Sequence, residues 1–467
     1  MNFTSVNESV GRHRWTICAL IFAATTINYL DRNVLGLLKP VLSAGGVFGT
    51  DKAEQELNYS TVVICFQIAY AVGMLFAGKF IDKVGTKSGY AWSLIGWSFA
   101  AIGHAFGHQT WSFGFWRAAL GVTEAGNFPA ANKAVAEWFP KKERAFATGL
   151  YNSGTNVGAI IAPLTVPYIA SAWGWEWAFI LTGAVGFTWL AFWYSLYASP
   201  AAKLQSGKLS QAEYDFIHSD VDEQEAEKAD VAKAKVSWFK LLTFRQTWAF
   251  FAGKFMTDPV WWFFLFWLPS FLTGENARKV AAYMAAHPGY TGDPSGIPGV
   301  ISWPFAVAVV YTVSTVGSIF CGWLPKTFIN GGMDANKASK LAMFIFALFP
   351  LTVLLASRLG TINTWLAVAT IAIACAAHQA WSANIFTTVS DMFPKKAVAS
   401  VTGIGGMAGA VGGILIARAA GLLLKHYTGL NKVEVGYGIL FVVCGSAYIT
   451  AWVLMHLLVP KFKKIVL

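Results

Sequence analysis

Hydrophobic residues along this chain gather into long unbroken runs, and not into the short alternations of half-buried strands. A helix needs about 20 mostly apolar residues to cross a bilayer. Windows of that length, bounded by charges, prolines or glycine clusters, recur from one end of the sequence to the other. Twelve are found, at residues 14–39, 61–82, 88–108, 111–138, 145–170, 174–198, 247–272, 303–326, 338–357, 362–390, 399–424 and 436–459. The pattern predicts an all-α membrane protein with twelve transmembrane helices. Two polar interruptions punctuate it. Residues 201–246 hold an acidic run from Glu213 to Asp230, which reads as a solvated amphipathic helix or a mobile linker. Residues 273–302, with Pro288, Pro294 and Pro298, read as a loop over the outer mouth. The expected organisation is an N-terminal six-helix bundle at 1–200, a cytoplasmic linker at 201–246 and a C-terminal six-helix bundle at 247–467.

Composition sharpens this picture. Of 467 residues, 55% are hydrophobic and 13% charged, against about 25% charged in an ordinary soluble domain. Too little polar surface remains to cover soluble domains of this total length. The net charge of +11 would suggest nucleic acid as a partner if the chain were soluble. The positions of the charges say otherwise. With the N-terminus in the cytoplasm, 23 of the 35 Lys and Arg residues fall on that side and six on the other. Cytoplasmic loops carry such an excess, so both termini are expected in the cytoplasm and no nucleic-acid partner is needed. Residues 1–10 lack a signal-peptide pattern, and the first span is expected to direct insertion. Cys18, Cys65, Cys321, Cys375 and Cys444 lie in apolar stretches with no metal or disulfide spacing. Phosphate-binding glycine loops, HExxH, paired CxxC and nucleophile elbows are missing from the sequence. No cofactor and no metal is therefore expected, and an enzyme is the weakest reading.

The two halves echo one another. Trp138-Phe139-Pro140-Lys141-Lys142 returns as Met392-Phe393-Pro394-Lys395-Lys396, and at the same offset of 254 residues Gly149 matches Gly403 and Gly158 matches Gly412. Repeated loops in two six-span halves describe bundles related by an axis along the membrane normal, able to rock about a central site. The loop GKFIDKVGTK at 78–87 resembles that of the major facilitator superfamily. Asn28-Tyr29-Leu30-Asp31-Arg32, together with the segment 117–144, resembles the anion:cation symporter family. Segments 254–269 and 377–394 are similar to its hexuronate-transporter branch.

Ionisable groups deep in a bilayer are costly and mark function by default. Asp31 and Arg32 lie about two thirds of the way along span 1, and Arg117 about a quarter of the way along the oppositely directed span 4, so all three share one depth. Glu124 follows Arg117 by seven residues, about 10 Å deeper on the same face. The physical reading is a proton and anion site. Each carboxylate is compensated by an Arg in the empty protein and takes up a proton when an anionic substrate claims that Arg. The guanidinium fork of Arg32 suits a substrate carboxylate. The resemblance implies the same roles, with Asp31 and Glu124 as protonatable acids, Arg32 as the substrate arginine and Arg117 as the partner of the span 1 acid. The alternative is a static ion-pair network joining spans 1 and 4.

In the second half, Lys254 and Asp258 have the spacing of a helix-face ion pair. Lys254 adds a second cation that fits a uronate, unless it snorkels to the surface. Span 10 carries His378, Trp381, Ser382 and Asn384, donors and an aromatic face that suit a pyranose; buried His and Asn also serve as plain inter-helix hydrogen bonds. Tyr29 and Tyr70 occupy positions that resemble substrate-contacting tyrosines, and without the resemblance they are ordinary span aromatics. Most of the aromatic run around Trp261, Trp262 and Trp267 reads as packing. The expectation is a proton-coupled importer of sugar acids, most directly glucuronate or galacturonate, working by rocker-switch alternating access as a monomer in the cell inner membrane. Its partners would be the sugar-acid anion, protons and the lipid bilayer. The alternatives are a carrier of another organic anion, an aldonate or aldarate, and a transporter-like sensor that signals through residues 201–246.

Overall fold

The structure, a computed structural model, describes residues 11–219, 238–463 and 465. Helices account for every regular element among the described residues. The first half comprises α1 (His13–Ala44), α2 (Lys52–Val84), α3 (Thr86–Gly103), α4 (Thr110–Glu124), α5 (Asn127–Trp138), α6 (Lys141–Asn152), α7 (Gly154–Trp173) and α8 (Trp175–Leu196). Short α9 (Pro200–Gln205), α10 (Gln211–Ile217) and α11 (Trp238–Leu241) follow. The second half comprises α12 (Arg245–Ala286), α13 (Trp303–Asn330), α14 (Ala335–Leu348), α15 (Ala356–Ile362), α16 (Thr364–Met392), α17 (Lys395–Gly429) and α18 (Val433–Leu458). Every predicted span lies on helix, and eight helical stretches among the described residues are long and apolar enough to cross a membrane.

Several expectations are corrected in detail. Span 4 is two helices, broken at Ala125 and Gly126 directly after Glu124, where Gly126 passes so close to Ser93 of α3 that a Cβ would collide with it. Span 5 is likewise divided at Ser153, and span 9 passes through a 3-10 segment, Phe349–Leu355, entered at Pro350. The stretch 273–302 is not all loop. Helix α12 continues to Ala286, because residues 275–286 hold neither Gly nor Pro, and a helix outside the bilayer needs no apolar surroundings. Asn276 ties this extension down, donating to the Ile301 carbonyl at 2.7 Å and accepting from its N–H at 3.2 Å.

The start of the acidic run is only partly solvated, with Asp215 exposed. Glu213 on α10 is buried and accepts from the backbone N–H of Arg14 at 3.1 Å and from its Nη1 at 3.3 Å. Helix α1 lacks a side-chain cap of its own, and Glu213 supplies that acceptor from across the chain. Arg14 also pairs with Glu143 at 2.9 Å. The rest of the run, from Asp220 to Asp230, lies outside the described residues.

The sequence repeat reappears as repeated backbone geometry. Phe139 and Phe393 end α5 and α16 with extended φ/ψ of −125°/133° and −116°/145°. Pro140 and Pro394 then open the next helix at −65°/155° and −65°/151°. Proline's fixed φ and missing N–H suit that junction.

The halves meet along α1 with α12, α2 with α17 and α7 with α13. The seam is tight at the end away from the chain termini. There Glu54 pairs with Lys425, Tyr59 donates to the Phe266 carbonyl at 2.8 Å, and Gly36 leaves room for Leu265 and Phe266. Gly421 is pressed against Ser60, and a Cβ at Gly413 would lie 3.2 Å from Gln67. Two turns nearer the termini, at Gly406, no described atom comes within 4 Å of the corresponding position. The halves are therefore closed together at the far end and parted at Gly406, toward the termini end.

Candidate functional site

Arg32 is the centre of the site. It is 1% exposed, and both its Nε and its Nη2 donate to the same oxygen of Glu124, Oε2, at 2.9 and 2.7 Å. Nη2 also reaches Asn28 Oδ1 at 3.3 Å. Four aromatic rings surround the guanidinium, with Tyr29 at 4.6 Å, Tyr70 at 4.8 Å, Phe66 at 5.2 Å and Trp262 at 5.7 Å. A weakly hydrated planar cation packs favourably on such faces. Trp262 comes from α12, so this cage closes across the two halves.

The predicted pairing of Asp31 with Arg117 does not occur. Arg117 donates from Nη2 to the backbone carbonyl of Arg32 at 2.7 Å and lies over Phe66 at 4.8 Å and Phe266 at 5.7 Å. Its Nε and Nη1 have no hydrogen-bond partner. Both oxygens of Asp31 are buried without a close hydrogen bond, as is Oε1 of Glu124; Thr182 and the charge of Arg117 still act on Asp31. Helix rotation accounts for this. Asp31 and Arg32 are neighbours in sequence and so point about 100° apart around α1; the turn that brings Arg32 to Glu124 carries Asp31 away. The site thus joins one compensated acid–base pair to a second acid and a second base that feel each other's charge but form no ion pair.

Helix α12 carries Lys254, Asp258 and Trp262 at i, i+4 and i+8, one face spanning about 12 Å. The Lys254–Asp258 ion pair forms as the spacing predicts, at 2.7 Å, and Lys254 also lies over Phe386 at 4.6 Å. Trp262 at the far end of this face reaches Arg32, while Lys254 sits two turns nearer the parted end.

The residues of α16 divide. His378 Nδ1 is bonded to the Tyr448 hydroxyl at 2.6 Å, and its ring stacks on Trp261 at 5.1 Å. Trp381 is fully buried and meets Tyr448 edge-on at 5.7 Å, so its ring offers no open face for a sugar. Asn384 donates to the Ala380 carbonyl at 2.8 Å and lines a separate cavity of about 700 Å³ with Lys326, Asp334, Asn336 and Asp391. Gln379, one residue beyond His378, donates to Asn156 of α7 at 3.1 Å and bridges the halves.

The structure therefore brings Tyr29, Arg32, Tyr70 and Glu124 into one cluster with Arg117 beside it, and leaves Trp381 and Asn384 outside it. Reading the sequence missed Asn28, Phe66, Gln67 and the cage role of Trp262. Phe66 and Gln67 sit close to Tyr70 on one helix, and that spacing was the available signal.

The model of the Major Facilitator Superfamily matches residues 21–417. The hexuronate transporter of Escherichia coli strain K12 is 29% identical over 420 residues, 88% of this chain and 87% of that one. The D-galactonate transporter of Escherichia coli O6:H1 is 29% identical over 428 residues, 89% of this chain and 90% of that one. Among solved structures, the inward open conformation of the xylose transporter XylE from E. coli superposes with a TM-score of 0.69 at 12% identity, covering 96% of this chain and 97% of that one.

Proposed function

Because the chain belongs to the Major Facilitator Superfamily, a family of membrane transporters and not of enzymes, we propose that it is a proton-coupled symporter importing sugar acids, most directly hexuronates. The observation that carries this reading is the Arg32–Glu124 pair, buried in an aromatic cage that both halves complete. A guanidinium held by a carboxylate accepts another carboxylate in its place. When a sugar acid docks on Arg32, Glu124 loses its compensating charge, and a proton restores neutrality. Anion and proton then bind as one event, and neither crosses alone. Asp31, buried and without an ion pair, is the second proton position. The aromatic rings hold the CH face of the sugar, His378 with its ring fixed by Tyr448 faces the hydroxyls, and Lys254 adds a second positive group on the path to the parted end. Two six-helix bundles rock about this site. With both termini in the cytoplasm of the inner membrane, the seam seen here is closed outside and open inside, the state in which a monomeric importer releases its cargo.

A second reading has an observation of its own. The galactonate transporter is as identical to this chain as the hexuronate transporter, which supports an open-chain sugar acid as cargo no less than a uronate. Competition against labelled glucuronate by galacturonate, galactonate and galactarate on the purified protein separates the two. The hexuronate reading expects the two uronates to compete at least tenfold better than the open-chain acids; the reverse order would replace it.

A further inference from the structure

Several buried polar atoms without partners surround Arg32, and most belong to the acids and bases already described. Gln67 does not. Its side chain is neutral and 4% exposed, and neither Nε2 nor Oε1 has a hydrogen-bond partner. Water that solvated the amide in the unfolded chain has not been replaced, a penalty equivalent to about 5- to 150-fold in an equilibrium constant. Such a group is retained at little benefit to the fold, so its use lies in another state of the molecule.

Its position says which use. On α2, Phe66 precedes it by one residue and Tyr70 follows it by three, and both rings lie on Arg32. A Cβ at Gly413 of α17 would stand 3.2 Å from Gln67 Nε2 and 3.1 Å from Trp262 Cδ1. The amide thus occupies the junction of α2, α12 and α17, beside the ring that closes the arginine cage. Gly413 brings no side chain to that junction, and Trp262 presents ring carbon to the same space beside Gly413. A carboxamide offers two donors and one acceptor and carries no charge. That set does not attract a second carboxylate. It matches a hydroxyl, which donates once and accepts twice.

We propose that Gln67 is the hydroxyl-reading residue of the site. With the carboxylate of a sugar acid on Arg32, the Gln67 amide bonds one hydroxyl of the same molecule and sets which sugar acids are accepted. This rests on the transport reading above. Specificity follows from the cost already present: a ligand with a hydroxyl there satisfies the amide, and one without it leaves the amide unpaired.

The test is a chemical double-mutant cycle on the full-length purified protein. Affinities of glucuronate and its monodeoxy analogues are measured by competition for wild type and Gln67→Met, a change close in volume that removes both polar ends. In wild type, one analogue should bind about 10- to 100-fold more weakly than the parent. In Gln67→Met that ratio should fall to near one, through weaker binding of the parent, while the ratios for the other analogues stand. An equal loss for parent and every analogue would overturn the proposal, and so would unchanged ratios throughout. A Gln67→Met protein that fails to fold also contradicts it, because the amide is held here to contribute nothing to packing. Wild type that binds no sugar acid would overturn the transport reading and this inference with it, and is seen before any variant is made.

Discussion

Replacing Glu124 with glutamine separates the two tasks assigned to the Arg32–Glu124 pair. One oxygen of Glu124 receives both Nε and Nη2 of Arg32, at 2.9 and 2.7 Å, so an anion docking on Arg32 must displace it. The carboxylate is a competitor built into the site. A glutamine oxygen still accepts a hydrogen bond but carries no charge, which weakens the competitor by about one charge-assisted bond, about 1.5–3 kcal/mol. Substrate affinity of Glu124→Gln should therefore rise about 10- to 100-fold. The same change removes the group that takes up the proton. Each proton carried with the substrate supports about tenfold accumulation per pH unit of gradient, and with the coupling at Glu124 gone the variant should stay at a ratio of one. Labelled exchange between loaded proteoliposomes and medium should continue. Binding is read by competition on purified protein, accumulation and exchange in the same vesicles. Weaker substrate binding by the variant, or accumulation against a gradient, would refute the reasoning.

Other substitutions probe separate parts of the account. Arg32→Lys keeps the charge but loses the planar fork and most of its stacking on four rings, and affinity for glucuronate should fall about tenfold or more in the competition assay. Asp31→Asn removes a buried carboxylate whose two oxygens make no close hydrogen bond, so thermal unfolding in detergent should show an unchanged or raised Tm while accumulation is lost. Lys425→Ala breaks the ion pair with Glu54 that joins the halves at the far end; a cysteine placed at buried Ser60 in that background should react faster with an impermeant thiol reagent than in the parent. Glu213→Ala removes the acceptor from the first turn of α1 and should cost about 1–3 kcal/mol of stability, with protease cutting of residues 200–217 in the native protein as the direct readout.

Much of the architecture was legible because the bilayer imposes one dominant length on apolar runs. The repeat was legible too, since the Phe-Pro-Lys-Lys junctions build the same turn twice. Helix ends were not. The extension of α12 to Ala286 and the break after Glu124 depend on contacts with Ile301 and Ser93 that no hydropathy window contains. The site was legible as a set of depths and not as a set of pairs. Spacing places Asp31, Arg32 and Arg117 near one level and Glu124 about 10 Å deeper on the same face, but which acid meets which base depends on helix rotation, and rotation is fixed by packing around the whole bundle. His378 finds Tyr448 seventy residues away, and Trp262 reaches Arg32 from the other half. An uncharged amide such as Gln67 gives only the weak signal of its spacing to Tyr70, because its importance lies in partners it lacks.

The central claim is that anion and proton cross together, and accumulation under an imposed gradient tests it most directly. Purified protein in proteoliposomes, alkaline inside, would be given labelled glucuronate or galacturonate with and without a protonophore. The account predicts internal label above the external concentration that collapses to equality when the protonophore is added. Uptake that stops at equality without the protonophore would contradict it, leaving a uniporter in which Asp31 and Glu124 are structural.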